Sequence, residues 1–334
     1  MGSTVRNLGF ALGRLFIDER LPKETLDEAL EMVQAIRTTF EDSLDALPWL
    51  DAASAKTARE KAEAVIEKIG YPAWVRDDAA LLEHYAGLEV GGVHFSNAIS
   101  SIRSANARSM ARFEEAVDKT RWYMNPSEVN AYYSPSFNQI VFPAGILQPP
   151  FFAGGVGKAF NYGAIGSVIA HELTHGFDDQ GAMYDKDGQL TDGGWMSAQS
   201  SRRFNDTAQC FVQQYDQFEV NSESVNGRLT LGENIADNGG LAGSYAAYAR
   251  SAGGAAPPLP GLGLTNSQLF FVSFGQVWCG MARPEKEHMW LLTDVHSPRK
   301  ARVVGSAQNS KDFSDAFGCS AAAAMNPPDK CLLW

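Results

Sequence analysis

His171-Glu172-Leu173-Thr174-His175 sets two imidazoles four residues apart, with a carboxylate directly after the first. That spacing is a known zinc-binding pattern when it falls on a helix. Four residues of α-helix turn through about 400°, so both imidazoles emerge on one face, one turn apart. They suit two corners of a zinc tetrahedron, whose zinc–nitrogen bonds run about 2.0–2.1 Å. Glu172 points roughly 100° further round, where it reaches the space beside such a metal without ligating it. At average residue frequencies the pattern arises by accident in about one chain in a hundred of this length. The flanking sequence therefore decides.

Upstream, an apolar run predicts one helix over 159–175, stopped by Gly176. A Pro/Gly-rich connection, 145–157, feeds it. Before that, 128–134 and 139–143 read as two strands of a hairpin around Pro135-Ser136-Phe137-Asn138. Downstream, the Gly- and Asp-rich stretch 181–195 reads as loop. Helices are predicted over 197–218, 232–250 and 268–279, with a Gly/Pro linker at 253–263 and a tail, 310–334, of short helix and loop. The first 120 residues read as helices. Ala29, Leu30, Val33, Ile36, Phe40, Leu44 and Leu47 recur at three and four until Pro48. A second helix from near Ser54 places Ala58, Ala62, Val65, Ile66 and Ile69 on one face and ends at Gly70 and Pro72. A third amphipathic run covers 99–117. The expected organisation is a helical scaffold segment, 1–120, followed by the segment that carries the chemistry, 121–334.

Composition narrows the function. The chain has 334 residues, 45% hydrophobic, and a formal net charge of −11. An acidic balance argues against nucleic acid as a partner, because phosphate neutralisation needs a basic face. No run of about 20 apolar residues exists to span a membrane. Met1-Gly2-Ser3-Thr4-Val5-Arg6 lacks the apolar stretch of a secretory signal, and its first three residues have the look of an expression remnant. None of Cys210, Cys279, Cys319 and Cys331 forms a CxxC pair; buried free thiols and three possible disulfide pairings all fit. The sequon Asn205-Asp206-Thr207 matters only in an exported protein.

A catalytic zinc takes three protein ligands and keeps an open position. The third candidate is Glu233, in Leu231-Gly232-Glu233-Asn234-Ile235-Ala236-Asp237-Asn238-Gly239-Gly240. One helical turn later Asp237 is placed to accept the free N–H of a ligating histidine, a partner such histidines nearly always have. In isolation Glu233 and Asp237 would be a solvated helix face; the histidine pair upstream reverses that reading.

These motifs together resemble the neprilysin/endothelin-converting-enzyme family of zinc endopeptidases. The histidine pair followed by Gly176-Phe177-Asp178-Asp179 and the Glu-Asn-Ile-Ala-Asp-Asn-Gly-Gly run carry the resemblance. So do Asn130-Ala131-Tyr132-Tyr133, the stretch 141–150, Trp278-Cys279-Gly280 with Arg283-Pro284, Asp294-Val295-His296-Ser297-Pro298 with Arg302, and a terminal Cys-x-x-Trp. It spans nearly the whole chain. It implies an α+β, helix-dominated, thermolysin-like zincin catalytic lobe, preceded by helices from an incomplete second lobe, with one Zn2+ per chain.

By the same resemblance His171, His175 and Glu233 match the zinc ligands, and Glu172 the general base that deprotonates the attacking water. Asp237 matches the residue orienting the first histidine, and Asp178 does likewise for the second. His296 matches the donor to the tetrahedral oxyanion, and Arg302 a contact to a substrate carbonyl. Asn130 and Ala131 match edge-strand positions that bind a peptide main chain. Ile146, Phe151, Val168, Val277 and Trp278 match the apolar pocket after the scissile bond, which implies small-peptide substrates cut on the amino side of hydrophobic residues. Ser167 stands where relatives carry a larger apolar residue, implying a wider pocket. His84, His94 and His288 match nothing.

Cys210 and Cys331 match a disulfide, closing a loop worth roughly 4–5 kcal/mol on the chain-entropy model. Cys279 and Cys319 match cysteines whose partners lie in a missing N-terminal lobe, so they are expected unpaired. The resemblance further implies an extracellular or cell-surface setting. Against active peptide hydrolysis stands one alternative: a metal-binding but catalytically weak fragment, or a peptide-binding protein, lacking the lobe that caps the cleft.

Overall fold

The computed structural model describes residues 2–251, 256–321 and 323–334. The architecture is helix-dominated α+β. Helices α1 (Gly2–Arg20), α2 (Lys23–Ser43) and α3 (Ala52–Glu63) lead into strand β1 (Ile66–Gly70), then α4 (Asp78–His84) and α5 (His94–Ala111). Strands β2 (Tyr132–Ser134) and β3 (Gln139–Pro143) precede α6 (Lys158–Asn161) and α7 (Ser167–Thr174). After them come α8 (Ala198–Tyr215), the small hairpin β4 (Glu219–Val220) and β5 (Glu223–Ser224), and α9 (Leu231–Arg250). The chain finishes with α10 (Asn266–Val277), α11 (Pro284–Thr293), α12 (Arg299–Asn309) and α13 (Lys311–Phe317).

The apolar stripe of α2 forms as its periodicity predicts, burying Ala29, Met32, Val33, Ile36 and Phe40. The second helix is shorter than expected. It starts where the Asp51 side chain accepts the Ser54 N–H, and it stops at Glu63. Val65, Ile66 and Ile69 leave it for β1, which pairs parallel with β3 from Ile66 opposite Gln139 to Gly70 opposite Pro143. Their three- and four-residue spacing continues that of Ala58 and Ala62, but β-branched side chains favour a pleated surface. The expected hairpin is present, β2 pairing antiparallel with β3 through Tyr132 opposite Val141. The sheet order is β1-β3-β2, which leaves β2 on an edge. The run predicted over 99–117 ends at Ala111. Helices α11 and α12 were not expected; each begins at a proline, Pro284 in the first turn of one and Pro298 capping the other. Of the predicted 253–263 linker, 253–255 lie outside the described residues, and 256–263 is irregular.

One continuous apolar core runs from Ile17 to Leu333 and joins α2 to α7 and α9. Helix α9 crosses α7 at unusually short range. A Cβ on Gly240 would lie 2.6 Å from the Ser167 carbonyl oxygen, and one on Gly239 2.7 Å from Thr174 Cγ2. Any side chain there would push the two helices apart. The C-terminus is anchored in the same core. Cys210 and Cys331 form a disulfide, Trp49 Nε1 donates to the Leu333 carbonyl at 2.7 Å, and Trp334 packs on Phe40, Trp49 and Phe177. Cys279 and Cys319 are unpaired. Asn205 is exposed on α8. Among the described residues no helix is long and apolar enough to cross a membrane.

Candidate active site

The predicted helix 159–175 is built in three pieces: α6, a π-helical turn at Tyr162–Gly166, and α7, with a 3-10 turn from His175 to Phe177. Insertions of this kind redirect side chains and frequently mark functional sites. The Ile165 N–H turns outward to the Phe151 carbonyl, 3.0 Å away, tying the preceding connection to the helix. His175 keeps helical backbone angles, so the two imidazoles do share a face. Their rings lie 4.5 Å apart, with Nε2 facing Nε2 at 3.0 Å.

The opposite nitrogen of each ring faces an aspartate, hydrogen-bonded at His175 and in close contact at His171. His171 Nδ1 lies 2.9 Å from Asp237 Oδ1, and His175 Nδ1 2.7 Å from Asp178 Oδ2. Carboxylates accept only, so each Nδ1 carries its hydrogen and both Nε2 lone pairs converge. The Glu233 carboxylate, on the first turn of α9, completes the group at 3.4 Å from His171 Nε2 and 3.6 Å from His175 Nε2. Glu233 Oε2 is buried with no hydrogen-bond partner. A tetrahedron with 2.0–2.1 Å bonds has edges of about 3.4 Å; the Nε2 atoms are 3.0 Å apart, and Glu233 approaches His171 with Oε2 at 3.4 Å and His175 with Oε1 at 3.6 Å, spacings close to that edge. Two imidazoles and a carboxylate are the donor set of a hydrolytic zinc, so these residues fit that metal.

Glu172 belongs to the same cluster: ligand atoms of His171, Glu172 and His175 lie within 4.8 Å of one another. Glu172 is the more buried of the two carboxylates, but Glu233 is the one that faces both Nε2 atoms, through one oxygen each. Glu233 therefore lies nearest the two Nε2 atoms, with Glu172 beside them. Burial disfavours charge on both histidines, and His175 also repels charge on His171. The surrounding carboxylates prevail and raise both above the ordinary histidine range. Burial resists ionisation of Glu233 as well, yet the two histidines hold it far below the usual carboxylate range. Such a concentration of negative charge around two lone pairs attracts a cation.

Arg302 from α12 is buried and bidentate to Asp237, with Nε and Nη2 each 2.6 Å from a carboxylate oxygen. Its guanidinium lies over the Trp278 ring, 3.9 Å from the centroid. His296 is half-exposed, its Nε2 3.3 Å from Glu233 Oε1. Its Nδ1 is held by Asp294 Oδ1 at 2.7 Å, which leaves Nε2 facing the group of donors.

These side chains sit in a cleft of about 790 Å³. The residues expected there are brought together with one exception. Asn130, Ala131, Ile146, Phe151, Val168 and Trp278 line it, as do His171, Glu172, His175, Asp178, Glu233, Asp237, His296 and Arg302. Val277 does not; Phe274, one turn before Trp278 on α10, takes that face. Asn130 and Ala131 immediately precede the edge strand β2. Ser167 is at the cleft wall, its hydroxyl donating back to the Gly163 and Ala164 carbonyls. Sequence reading missed the wall made by Tyr133, Asp179, Gln180, Arg228 and Leu229. Most of it is loop, where no periodicity signals which way a side chain faces.

Two sequence models described as peptidase family M13 match residues 130–333 and 1–72. Human endothelin-converting enzyme 1 is 46% identical over the whole chain, which spans 44% of that relative. Membrane metallo-endopeptidase-like 1 of Mus musculus is 45% identical over 98% of the chain and 44% of the relative. Among solved structures, a zinc metalloprotease of Mycobacterium tuberculosis, Zmp1, crystallised with an inhibitor, superimposes with a TM-score of 0.89. It is 32% identical, over 99% of this chain and 50% of that one. PepO from Lactobacillus rhamnosis gives 0.82 at 30% identity, over 94% and 47%. The fold is thus the helix-dominated α+β zincin fold of these metalloproteases.

Proposed function

This chain belongs to peptidase family M13, and on that premise we propose that it is a zinc-dependent endopeptidase cutting small peptides on the amino side of hydrophobic residues. The observation that carries the reading is the convergence of two imidazole Nε2 atoms and a carboxylate at near-tetrahedral spacing, with an aspartate facing each remaining ring nitrogen.

His171, His175 and Glu233 would hold one zinc per chain. When bound, that ion lowers the pKa of water toward 7 and polarises a carbonyl. Glu172 accepts the proton of the attacking water and delivers it to the departing amine nitrogen. Asp237 and Asp178 fix the tautomers of the two histidines. His296 donates from Nε2 to the developing oxyanion, its own tautomer set by Asp294. Arg302, anchored by Asp237, contacts a substrate carbonyl. The edge at Asn130 and Ala131 takes the substrate main chain as an added strand. Ile146, Phe151, Val168, Trp278 and Phe274 accept the apolar side chain after the cleavage site, and Val277 backs that wall from outside the cleft. An extracellular or cell-surface setting, with Asn205 available for glycosylation, accords with the relatives.

The chain spans less than half of those relatives, which favours a second reading: a fragment that binds metal and peptide but turns over poorly. Hydrolysis of a quenched peptide with Phe or Leu after the cleavage site separates the two. Chelator-sensitive cleavage is expected; zinc-loaded protein without cleavage would favour the fragment.

A further inference from the structure

Lys61 is fully buried on α3, a helix that contributes nothing to the cleft wall. Its Nζ donates to the Gly181 carbonyl at 2.7 Å and the Tyr184 carbonyl at 2.6 Å, and lies 5.5 Å from the centre of the Phe177 ring. The two carbonyls belong to the turn that follows Asp178. On its amide side Gly181 donates to Asp178 Oδ1 at 2.6 Å, and the Gln180 N–H reaches the same oxygen at 2.9 Å. The other oxygen of that carboxylate holds His175 Nδ1. Three hydrogen bonds thus run from Lys61 through Gly181 and Asp178 to His175.

Neither end of this chain of contacts is free to drift. A Cβ on Gly181 would lie 1.9 Å from the His175 carbonyl oxygen, so the turn packs directly on the backbone of the histidine it serves. On the other side, the Lys61 carbonyl accepts from Asn138 Nδ2 at 3.1 Å, and Asn138 Oδ1 accepts from the Tyr133 hydroxyl at 2.9 Å. Tyr133 lies against Gly176. An ammonium group suits the position because it offers several donors at one point, and two buried carbonyls need two. Burying such a group is unfavourable unless it is fully hydrogen-bonded. Its persistence at full burial calls for a role beyond filling space.

We infer that Lys61 is a positioning residue for the imidazole of His175, acting through the Gly181 turn and the Asp178 carboxylate. The inference rests on the zinc-site reading above. Partners beyond the metal ligands commonly change metal affinity 10- to 100-fold when removed.

The test is zinc affinity of the whole chain, by chelator competition, for wild type, Lys61→Met, Asp178→Asn and the double variant. Lys68→Met is the control: Lys68 is the other buried lysine, its Nζ bonded to the Arg121 carbonyl at 2.8 Å. Lys61→Met is expected to weaken zinc binding about tenfold or more. The double variant should bind no more weakly than the worse single one, and Lys68→Met should bind as wild type does. Zinc binding unchanged in Lys61→Met, or losses that multiply in the double variant, would overturn the inference. Should Lys61→Met fail to fold, Lys61→Gln, which keeps an amide donor, is judged by the same criteria. Wild-type protein that binds no zinc would overturn the site reading itself, and this inference with it.

Discussion

Asp237 serves two buried partners at once, the His171 imidazole and the Arg302 guanidinium. Burial works against its charge, and Arg302 foremost holds it in the ionised form. Removing one member of such a pair strands the other in a dry site, typically at a cost of about 3–5 kcal/mol. Arg302→Met should therefore lower the unfolding free energy by roughly that amount, read by denaturant titration. A loss under about 1 kcal/mol would mean that water reaches the pair. His296→Ala removes a half-exposed group and should leave stability unchanged within about 0.5 kcal/mol. Turnover should fall about 10²–10³-fold with little change in KM, the pattern of an interaction made only in the transition state. Most of these residues were legible in the sequence because each lies in a short motif. The histidine pair fixes its own geometry, and Asp237 follows Glu233 by one helical turn. Lys61 was not legible, because a lysine on an amphipathic helix reads as solvent-facing and only the turn packed over it reveals otherwise.

At the scale of elements, the meeting of α7 and α9 depends on Gly239 and Gly240. A methyl at Gly240 would press on Ser167 and His171 backbone atoms, contacts that cannot rotate away. Gly240→Ala should cost about 1–3 kcal/mol by overpacking, and by moving Glu233 away from the histidines it should weaken zinc binding too. Stability lost without affinity would show that α9 can shift while its first turn stays in place. A second element-level prediction concerns α4. His84 stacks on Trp74 at 4.7 Å and meets Phe10 edge-on. Burial pushes its pKa down to about 4, and Arg108, Arg112 and Arg121 push the same way. The folded value lies below that of the unfolded chain, so the neutral ring's contribution is complete above pH 6.5 and is lost as pH falls from there toward 4. For a half-buried group this amounts to about 1–2 kcal/mol. Melting curves across that window should show the loss, and His84→Phe should flatten it; an unaltered slope would place the titrating group elsewhere. Element reading from sequence failed at β1, where Val65, Ile66 and Ile69 continue a helical spacing by coincidence. Only the partner strand β3, some seventy residues on, decides the matter. It also slipped by three residues on α10, where Phe274 rather than Val277 lines the cleft.

Across the whole molecule, the scaffold helices and the cleft share one core, in which the chain end is also buried. The Cys210–Cys331 disulfide spans 121 residues. Reducing it should cost about 4–5 kcal/mol on the chain-entropy model, seen as a lower melting temperature with the cleft intact below it. The helix-dominated α+β class and the Cys210–Cys331 pairing followed from the family resemblance and are found in the structure. The loop-built wall around Arg228 and Asp179 did not follow, because it is set by packing between segments distant in sequence. The central claim is that Glu172 moves the proton while His171, His175 and Glu233 hold the metal. It is tested most directly by comparing wild type and Glu172→Gln for zinc content and peptide turnover in the same preparations. One zinc per chain in both proteins, with turnover reduced about 10²–10⁴-fold in the variant, is the predicted result. Equal turnover at equal zinc would contradict it.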